Sequence, residues 1–352
     1  MSQFHKLTIK DIQRETNNAV SISLDVPSNL NNVFSFKAGQ YITFKVILNN
    51  EEIRRDYSIC TSPKSGELKV VVKAVEGGLF SVYANTQLKT GDVVEVAPPN
   101  GRFIFEPQET ASRIIAAFAA GSGITPILGI AQTVLEEEPQ SSFILTYGNK
   151  TSEDTIFYAK LLQLQETYPE RFKLQLVFSQ SDEVDSLFGR IDKSTVNFVL
   201  NNKFNHLHPT VFYLCGPEAM IHTVKDTLVE NGVSEDHVFF ELFTTPLEQS
   251  VDIDTSIIDG NTKVTIMIDD EETTFVMPQT KSILEVALAE NIDAPYSCQG
   301  GICSSCLARL TEGNAVMRQN NILTDSELAE GLILTCQAHP TTPTVYVDYD
   351  DV

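Results

Sequence analysis

Four cysteines constrain this 352-residue chain more than any other feature. Four residues separate Cys298 from Cys303, two separate Cys303 from Cys306, and Cys336 follows after a further 29. With this spacing, four thiolates can hold two irons bridged by two sulfides. The loop must wrap around one side of a flat cluster, and the small residues in it meet that need: Gly300, Gly301, Ser304 and Ser305. The spacing therefore predicts a 2Fe-2S cluster.

Structural zinc and disulfides are the alternative interpretations of these cysteines. Structural zinc usually takes two pairs of closely spaced cysteines, whereas Cys336 stands alone. Disulfides accompany export, and the first residues lack the apolar run of a signal peptide. We favour the cluster, which carries one electron at a time, and we expect an electron source elsewhere in the chain.

Composition and charge restrict the location and the partners. Hydrophobic residues make up 42% of the chain and no segment reaches membrane-spanning length, so we expect a globular, cytoplasmic protein without membrane insertion. The net charge is −22, and the residues from 252 onward contain 17 acidic and four basic side chains. An acidic surface repels nucleic acid backbones, which excludes nucleic acid as an expected partner. The acidic end either steers a basic protein partner or serves solubility alone.

Residues 1–107 alternate apolar and polar side chains in short runs, which predicts an antiparallel β-barrel. Within it, Arg55 can bind phosphate, Tyr57 can lie against a flavin ring and Ser58 can reach the flavin N5. A later strand and glycine turn can hold a pyrophosphate at a helix start, through Val72, Lys73, Gly77, Gly78 and Ser81. Each stretch alone also fits an ordinary barrel, but together they favour a flavin-binding domain.

Residues 108–245 change to continuous apolar runs that alternate with helical patterns, which predicts an α/β doubly wound nucleotide-binding domain. The turn after its first strand lacks the full six-residue glycine fingerprint but allows close approach of a pyrophosphate, through Gly121, Gly123, Thr125 and Pro126. A second group ends later strands at the sheet edge where ligands bind: Cys215, Gly216, Pro217 and Glu241. A lone buried cysteine is more often packing than chemistry, so both interpretations of Cys215 stay open.

Residues 246–262 show no sustained periodicity and are expected to form a linker. Residues 263–352 then predict a small α+β unit: a hairpin around residues 269–272, a helix from about Ser282 to Glu290, the cysteine loop and two further strands. The chain is thus expected to contain three domains, and the third carries the cluster.

Together these stretches resemble the ferredoxin-NADP reductase superfamily with a fused C-terminal plant-type 2Fe-2S domain of the β-grasp type, over nearly the whole chain. The matching motifs are Arg55 to Ser58, Gly78 to Ser81, Gly121 to Pro126 and Cys215 to Pro217. Within the superfamily, three segments are most similar to the reductase components of bacterial phenylacetyl-CoA epoxidases: residues 147–149, 317–320 and 334–338.

The resemblance implies an NAD(P)H-dependent oxidoreductase that binds FAD and a 2Fe-2S cluster and passes electrons to an oxygenase component. It implies that Ser58, Cys215 and Glu241 surround the place where nicotinamide meets flavin. Many relatives have Ser-Arg where this chain has Ser179-Gln180, with Asp182 nearby, although Lys150 could compensate, so NADPH and NADH both stay open.

Two other functions remain as alternatives at this stage. The first is a reductase for a Rieske oxygenase, a membrane desaturase or a hybrid-cluster protein. The second is a non-catalytic iron-sulfur protein for electron transfer or redox sensing, against which the intact flavin and nicotinamide motifs argue.

Overall fold

The computed structural model describes residues 4–243 and 260–352. The chain divides into two compact units, Phe4–Phe243 and a C-terminal unit. The first unit contains two six-stranded sheets, and the described part of the second contains a five-stranded and a two-stranded sheet. Each unit has hydrophobic core of its own.

The first sheet is antiparallel, with the order β4-β3-β6-β1-β2-β5. Its strands are β1 (His5–Thr16), β2 (Ala19–Asp25), β3 (Tyr41–Leu48), β4 (Glu51–Ser58), β5 (Leu68–Lys73) and β6 (Val93–Val96). The two edge strands meet just beyond β4, where Ile59 pairs with Val70. Helix α1 (Leu79–Thr86) packs Phe80 into the core of this sheet. The predicted antiparallel barrel is therefore confirmed.

The second sheet is wholly parallel, with the order β10-β9-β8-β7-β11-β12. Its strands are β7 (Ile114–Ala120), β8 (Ser142–Asn149), β9 (Phe172–Phe178), β10 (Ser186–Phe188), β11 (Val211–Cys215) and β12 (Val238–Glu241). Its helices are α2 (Ile124–Glu137), α3 (Tyr158–Thr167), α4 (Lys193–Phe198), which continues as a π-helix to Lys203, and α5 (Glu218–Glu230).

The strand order of the parallel sheet reverses between β7 and β11. The chain builds outward from β7 through β8, β9 and β10, and then returns to the other side of β7 to form β11 and β12. Ligands bind beyond the carboxyl ends of strands at such a reversal. The predicted doubly wound domain is confirmed, and the motifs after β7 and β11 lie at its switch point.

The barrel and the parallel sheet share one core. Ala38, Phe103 and Phe105 from the barrel side belong to the same buried cluster as β7 and α2. The Tyr213 hydroxyl donates to the Ile104 carbonyl at 3.1 Å. Because interiors are close-packed, this shared core fixes the strand ends of the two sheets relative to each other.

The five-stranded sheet of the C-terminal unit has the order β14-β13-β19-β15-β17. Its strands are β13 (Asn261–Ile268), β14 (Glu271–Pro278), β15 (Leu307–Glu312), β17 (Leu332–Leu334) and β19 (Thr344–Asp348), while β16 (Ala315–Met317) pairs with β18 (Ala338–Pro340). Asp269 and Asp270 both have positive φ, as a two-residue hairpin turn requires.

Two helices complete this unit. Helix α6 (Ile283–Ala289) is capped by Ser282, whose side chain accepts a hydrogen bond from the Glu285 N–H. Helix α7 (Asp325–Ala329) begins with a capping box of Thr324 and Glu327. The buried side of α6 packs with the central strands in one core, so the predicted α+β fold is confirmed.

The predicted linker differs from the structure at its end. Residues 244–259 lie outside the described residues. Asn261 and Thr262 belong to β13, because β13 pairs with β14 from Asn261 onward and Thr262 is buried. The Gln279 amide donates to the Thr262 hydroxyl at 3.0 Å, so the Thr262 side chain, which is buried in β13, has a hydrogen-bond partner.

Candidate functional site

The flavin motif predicted from the sequence lies on β4, at the closing edge of the barrel. Tyr57 packs edge-on against Phe44, with ring centroids 5.9 Å apart, and 5.4 Å from Phe80 of α1. Arg55 is exposed and shares a face of the strand with Tyr57. Ser58 is buried at the end of the strand. The strand therefore presents a cation, an aromatic ring and a hydroxyl along one edge, a set that fits a flavin with its phosphates.

The glycine turn before α1 keeps its backbone open. Gly77 has φ +72°, and Gly78 is the N-cap of the helix without any capping side chain. A Cβ on Gly78 would lie 2.3 Å from the Ser81 hydroxyl, so no other residue fits there without displacement. The Gly78 N–H donates to the Val75 carbonyl at 3.0 Å, and the N–H groups of the first turn of α1, which no side chain caps, suit a phosphate.

Ser81 forms a hydrogen bond within the glycine turn. Its hydroxyl is buried and accepts a hydrogen bond from the Val75 N–H at 3.3 Å. This bond holds the turn in shape, and the contact of Ser81 with a pyrophosphate stays a prediction. Val72 and Lys73 end β5 directly before this turn, and the Val72 carbonyl accepts from the Asn85 amide.

The two nucleotide motifs meet at the switch point of the parallel sheet. Gly121 has φ +56°. A Cβ on Gly123 would lie 2.1 Å from the Cys215 carbonyl oxygen, and a Cβ on Gly216 would lie 3.1 Å from the Ala120 N. Pro217 is the N-cap residue of α5. The glycines thus let β7 and β11 approach closely while their following loops stay bare.

Buried side chains donate hydrogen bonds to the first of these loops, the one that follows β7. The Tyr147 hydroxyl, on β8, donates to the Gly121 carbonyl at 2.8 Å. The Thr125 hydroxyl donates to the Ser122 carbonyl at 3.0 Å, and both Thr125 and Pro126 are buried in the first turn of α2. Thr125 therefore holds the turn through this bond, and its predicted place in the coenzyme site stays a prediction.

A cavity of about 430 Å³ opens beyond the strand ends. It is lined by residues from the barrel and from the ends of β7, β8 and β9, including Lys73, Gly121, Asn149, Lys150, Ser179 and Arg190. Burial lowers the pKa of the Lys73 ammonium, an effect opposed by Asp154 and reinforced by Lys150. Three cations line this cavity, Lys73, Lys150 and Arg190, against two carboxylates, Asp154 and Asp192, and such cations suit a ligand that carries phosphates.

Ser58, Cys215 and Glu241 come together although they are distant in sequence. The Ser58 hydroxyl donates to Glu241 Oε2 at 3.1 Å, which joins the end of the barrel to the end of the parallel sheet. Cys215 and Glu241 are register partners on the neighbouring strands β11 and β12. The three residues therefore surround the junction of the two sheets.

The two acidic groups at the junction, the Glu241 carboxyl and the Cys215 thiol, are mostly protonated near neutral pH. Burial raises the pKa of the Glu241 carboxyl to about 8, against the opposing effect of the Ser58 hydrogen bond. Burial, reinforced by the charge of Glu241, raises the pKa of the Cys215 thiol well above its usual value. Cys215 is therefore a neutral thiol, suited to pack against a ring and not to act as a nucleophile.

The four cluster cysteines lie together in the C-terminal unit as two pairs. The side chains of Cys298 and Cys303 contact each other, and so do those of Cys306 and Cys336. The first pair is half-exposed and the second is buried. Among the described residues, no three His, Cys, Asp or Glu side chains converge as a site for a single metal ion requires. Two pairs of thiols instead match two irons with two thiolates each.

Backbone donors favour the thiolate form in the exposed pair. The Cys303 side chain and the N–H groups of Gly300, Ile302 and Cys303 lower the pKa of Cys298 to about 6. The Gly300 N–H donates to the Cys298 sulfur at 3.3 Å. Gly301 has φ +71°, and a Cβ there would lie 3.0 Å from the Gln319 carbonyl oxygen. The loop thus fits the predicted cluster both in its donors and in its need for glycine.

Comparisons with known proteins agree with separate flavin, coenzyme and iron-sulfur segments in the chain. Three family models match the chain: an oxidoreductase FAD-binding domain at residues 6–105, an oxidoreductase NAD-binding domain at 118–226, and a 2Fe-2S iron-sulfur cluster binding domain at 266–341. The chain is 39% identical to a component of the 1,2-phenylacetyl-CoA epoxidase of Escherichia coli K12, over 99% of both chains. The chain belongs to the ferredoxin-NADP reductase superfamily, in the group with a C-terminal 2Fe-2S domain.

Two further relatives match over nearly their whole length. The chain is 28% identical to the ferredoxin reductase component of the 3-ketosteroid-9-alpha-monooxygenase of Rhodococcus rhodochrous, over 97% of this chain and 96% of the relative. The solved structure of phthalate dioxygenase reductase matches with a TM-score of 0.60 at 25% identity, over 98% of both chains. The predicted fold, FAD, the nicotinamide coenzyme and the cluster are confirmed, and the chain is an oxidoreductase.

The sequence did not predict every residue at the cavity. Arg190 and Asp154 line it but belong to no motif that we recognised, and Asn149 belongs to a segment that we recognised for its similarity to a family and not as part of a binding site. Arg190 follows β10, which has only three residues and is too short to show a periodic pattern. The position of Asn149 at the carboxyl end of a parallel strand was the one available signal. None of the helices in the described ranges is long and apolar enough to cross a membrane.

Proposed function

We propose that this reductase is the electron-supplying component of a phenylacetyl-CoA epoxidase, taking electrons from NADPH or NADH through FAD and a 2Fe-2S cluster to the oxygenase component. The observation that carries the proposal is the 39% identity to a component of that enzyme over 99% of both chains. The identity to the 3-ketosteroid monooxygenase reductase is lower, 28%. A reductase for another oxygenase is therefore the second candidate.

The proposal divides the chain into residues 1–107 for FAD, 108–245 for the coenzyme, a linker that begins at 246 and ends before β13, and the C-terminal residues from β13 onward for the cluster. FAD and the cluster, when bound, convert a two-electron hydride donor into single-electron deliveries. In the first domain, Arg55 and the bare turn at Gly77 and Gly78 bind phosphates, and Tyr57 lies against the flavin ring. Lys73 lies between the FAD and coenzyme sites.

The junction residues align the reacting rings. Ser58, Cys215 and Glu241 lie at the meeting point of the two sheets, and the Ser58 hydroxyl already bonds Glu241 at 3.1 Å. We assign them the positioning of nicotinamide against flavin, since errors of about 1 Å cost rate factors of roughly 100 in such steps. The neutral Cys215 thiol and the raised pKa of Glu241 keep negative charge away from the rings.

The coenzyme binds along the glycines of the switch point and into the cavity. Gly121, Gly123, Gly216 and Pro217 leave the loop backbones open for its pyrophosphate. Gln180 supplies no cation for a 2′-phosphate, but Lys150 and Arg190 line the cavity and can supply one, so both NADPH and NADH fit the proposal. The cysteines of the cluster are Cys298, Cys303, Cys306 and Cys336. We place the protein in the cytoplasm, where its six cysteines remain thiols or cluster ligands.

Reconstitution with purified oxygenase components tests the proposal. The reductase is mixed in turn with the oxygenase component of a phenylacetyl-CoA epoxidase and with a Rieske-type oxygenase, and product formation is measured with NADPH and with NADH. We expect turnover with the epoxidase and little with the Rieske enzyme. Turnover with the Rieske enzyme alone would establish the second candidate, and efficient dye reduction in both mixtures shows that the reductase itself is active.

A further inference from the structure

A buried tyrosine, Tyr349, lies close to the cluster cysteines, directly after the last strand of the chain. Tyr349 follows β19 and is 7% exposed, and its N–H donates to the Met267 carbonyl at 3.0 Å. Its hydroxyl donates to Thr335 Oγ1 at 2.8 Å. The hydroxyl is also close enough to Cys306 and Cys336 to interact with them electrostatically. The tail is therefore anchored at the strand and at the cysteines.

Thr335 connects Tyr349 to both members of the buried cysteine pair, Cys306 and Cys336. It is fully buried and directly precedes Cys336. Its hydroxyl donates to the Cys306 carbonyl at 3.0 Å, and its N–H donates to the same carbonyl at 3.1 Å. The Cys306 and Cys336 side chains contact each other. Thr335 is thus the link that sets the separation of these two backbones.

A nearby tyrosine, Tyr346 on β19, makes no such contact. Tyr346 donates its hydroxyl to Glu272 Oε1 at 2.8 Å in an exposed pair. Surface hydrogen bonds of this kind contribute little, whereas a buried acceptor that loses its donor costs the desolvation of that group. Tyr346 is therefore a matched control for Tyr349: it carries the same chemical group three residues earlier, without the contact at the cysteines.

We propose that Tyr349 is a positioning residue for the cluster, which acts through Thr335 to hold Cys306 and Cys336 at the separation that one iron requires. The inference rests on the assignment of the four cysteines as cluster ligands. It makes the C-terminal tail part of the iron-sulfur site, although the tail contributes no ligand.

The test compares four substitutions in the holoprotein: Tyr349→Phe, Tyr346→Phe, Thr335→Val and Thr335→Ser. Two readouts are followed, the rate at which a chelator removes iron and the electron paramagnetic resonance spectrum of the dithionite-reduced cluster. Loss of one buried hydrogen bond should accelerate iron release by about tenfold in Tyr349→Phe and Thr335→Val. Both should also shift the g-values. Thr335→Ser keeps the hydroxyl and should stay close to the parent protein, as should Tyr346→Phe.

A double substitution, Tyr349→Phe with Thr335→Val, shows whether Tyr349 acts on the cysteines only through Thr335. If it does, the double variant releases iron no faster than Thr335→Val alone. If Tyr349→Phe fails to fold, the comparison of Thr335→Val with Thr335→Ser decides the question.

Two results would overturn the inference: equal iron release in Tyr349→Phe and the parent protein, or equal acceleration in Tyr346→Phe. A Cys336→Ser variant separates this failure from failure of the ligand assignment. If Cys336→Ser retains a full 2Fe-2S spectrum, the assignment of the ligands is wrong. If Cys336→Ser loses the cluster while Tyr349→Phe behaves as the parent protein, only the role of Tyr349 is wrong.

Discussion

In the first unit, the residues at the junction of the two sheets come from positions as distant as Ser58 and Glu241, which are 183 residues apart. In the second unit, three of the four cysteines lie within a single short loop. The first site is assembled by topology, because parallel strands bring their carboxyl ends to one edge. The second is assembled by local chain geometry. A local change should therefore remove the cluster and spare the junction, whereas changes at the junction should slow a reaction without removing a cofactor.

The largest expected effect is the loss of the cluster in Cys303→Ser. The thiol of Cys303 contacts Cys298 in the half-exposed pair, and the described residues of the unit hold no fifth cysteine that could replace it. We expect the 2Fe-2S absorbance and electron delivery to a protein acceptor to disappear. The flavin and the reduction of small dyes by NAD(P)H should remain.

The cofactor content of Cys303→Ser sharpens the comparison between the units. Iron and flavin are measured per chain in the purified variant. A folded Cys303→Ser protein that has lost flavin together with iron would contradict the independence of the two sites.

The next effect concerns the rate of hydride transfer at the junction. If both residues position the reacting rings, as we propose, Cys215→Ala and Glu241→Gln should lower the limiting rate of flavin reduction by about 100-fold. Coenzyme affinity should change much less. Stopped-flow absorbance at saturating coenzyme gives the rate, and its concentration dependence gives the affinity.

The chain offers a matched control for Glu241→Gln. Ser62 donates to Glu136 elsewhere in the same unit, in another hydrogen bond between a buried serine and a glutamate. Glu136→Gln should leave flavin reduction unchanged. If both junction variants kept the parent rate, Cys215 and Glu241 would be packing residues only.

A smaller effect is expected from salt on delivery to the acceptor. Asp348 ends β19, Asp350 follows two residues later, and the carboxylate of Asp350 accepts hydrogen bonds from the N–H groups of Asp269 and Asp270 in the hairpin turn. If this acidic end attracts a basic acceptor, association should slow by roughly tenfold or more between 0.1 M and 1 M salt, as the Debye length shortens from about 10 Å to about 3 Å.

Electron transfer within one chain provides the internal reference for the salt series. The cofactors of a single chain do not need to associate, so reduction of the cluster by flavin should change little over the same range. A delivery rate that is flat with salt would assign the acidic surface to solubility alone.

The smallest expected effect is the pH dependence of stability from Glu241. The pKa of Glu241 is about 8 in the folded chain, above the ordinary value of 4.5. Between pH 4.5 and pH 8 the folded chain therefore keeps a proton on Glu241 that the unfolded chain has lost. Stability from this group therefore falls as pH rises from about 4.5 to 8. In Glu241→Gln this slope should vanish.

Thermal unfolding at pH 5 and pH 8 measures the difference. For a unit of this size, about 1 kcal/mol shifts Tm by roughly 2–4 °C. The parent protein should lose at least that much relative to Glu241→Gln between the two pH values. Parallel behaviour of the two proteins would contradict a raised pKa.

The fold was predictable where the pattern is local and continuous. The apolar run of β7, the glycine turns and the cysteine spacing each carry their signal within about ten residues. Ser58, Cys215 and Glu241 were singled out by their positions at or near strand ends, but only the resemblance to a family implied that they lie together. No periodicity indicates that Ser58 and Glu241 hydrogen-bond across 183 residues.

The direction of individual side chains was less predictable. Ser81 and Thr125 have hydroxyls that suit a ligand, yet both bond to nearby backbone, which is the usual local competition for such residues. Tyr349 stands in an acidic tail that suggests an exposed end, but its ring is buried. Asn261 and Thr262 lack a strand pattern because their partner contacts come from Gln279 and from the chain near Thr342. Tertiary contacts decide each of these cases.

The order in which the two cofactors are reduced tests the central claim most directly, namely that the two units act in series with flavin before the cluster. The parent protein and Glu241→Gln are mixed anaerobically with NADPH, and flavin and cluster absorbance are followed together. We predict that flavin bleaches before the cluster, and that Glu241→Gln slows both by the same factor. A cluster that is reduced at the parent rate in Glu241→Gln, while flavin reduction is slowed, would contradict the account.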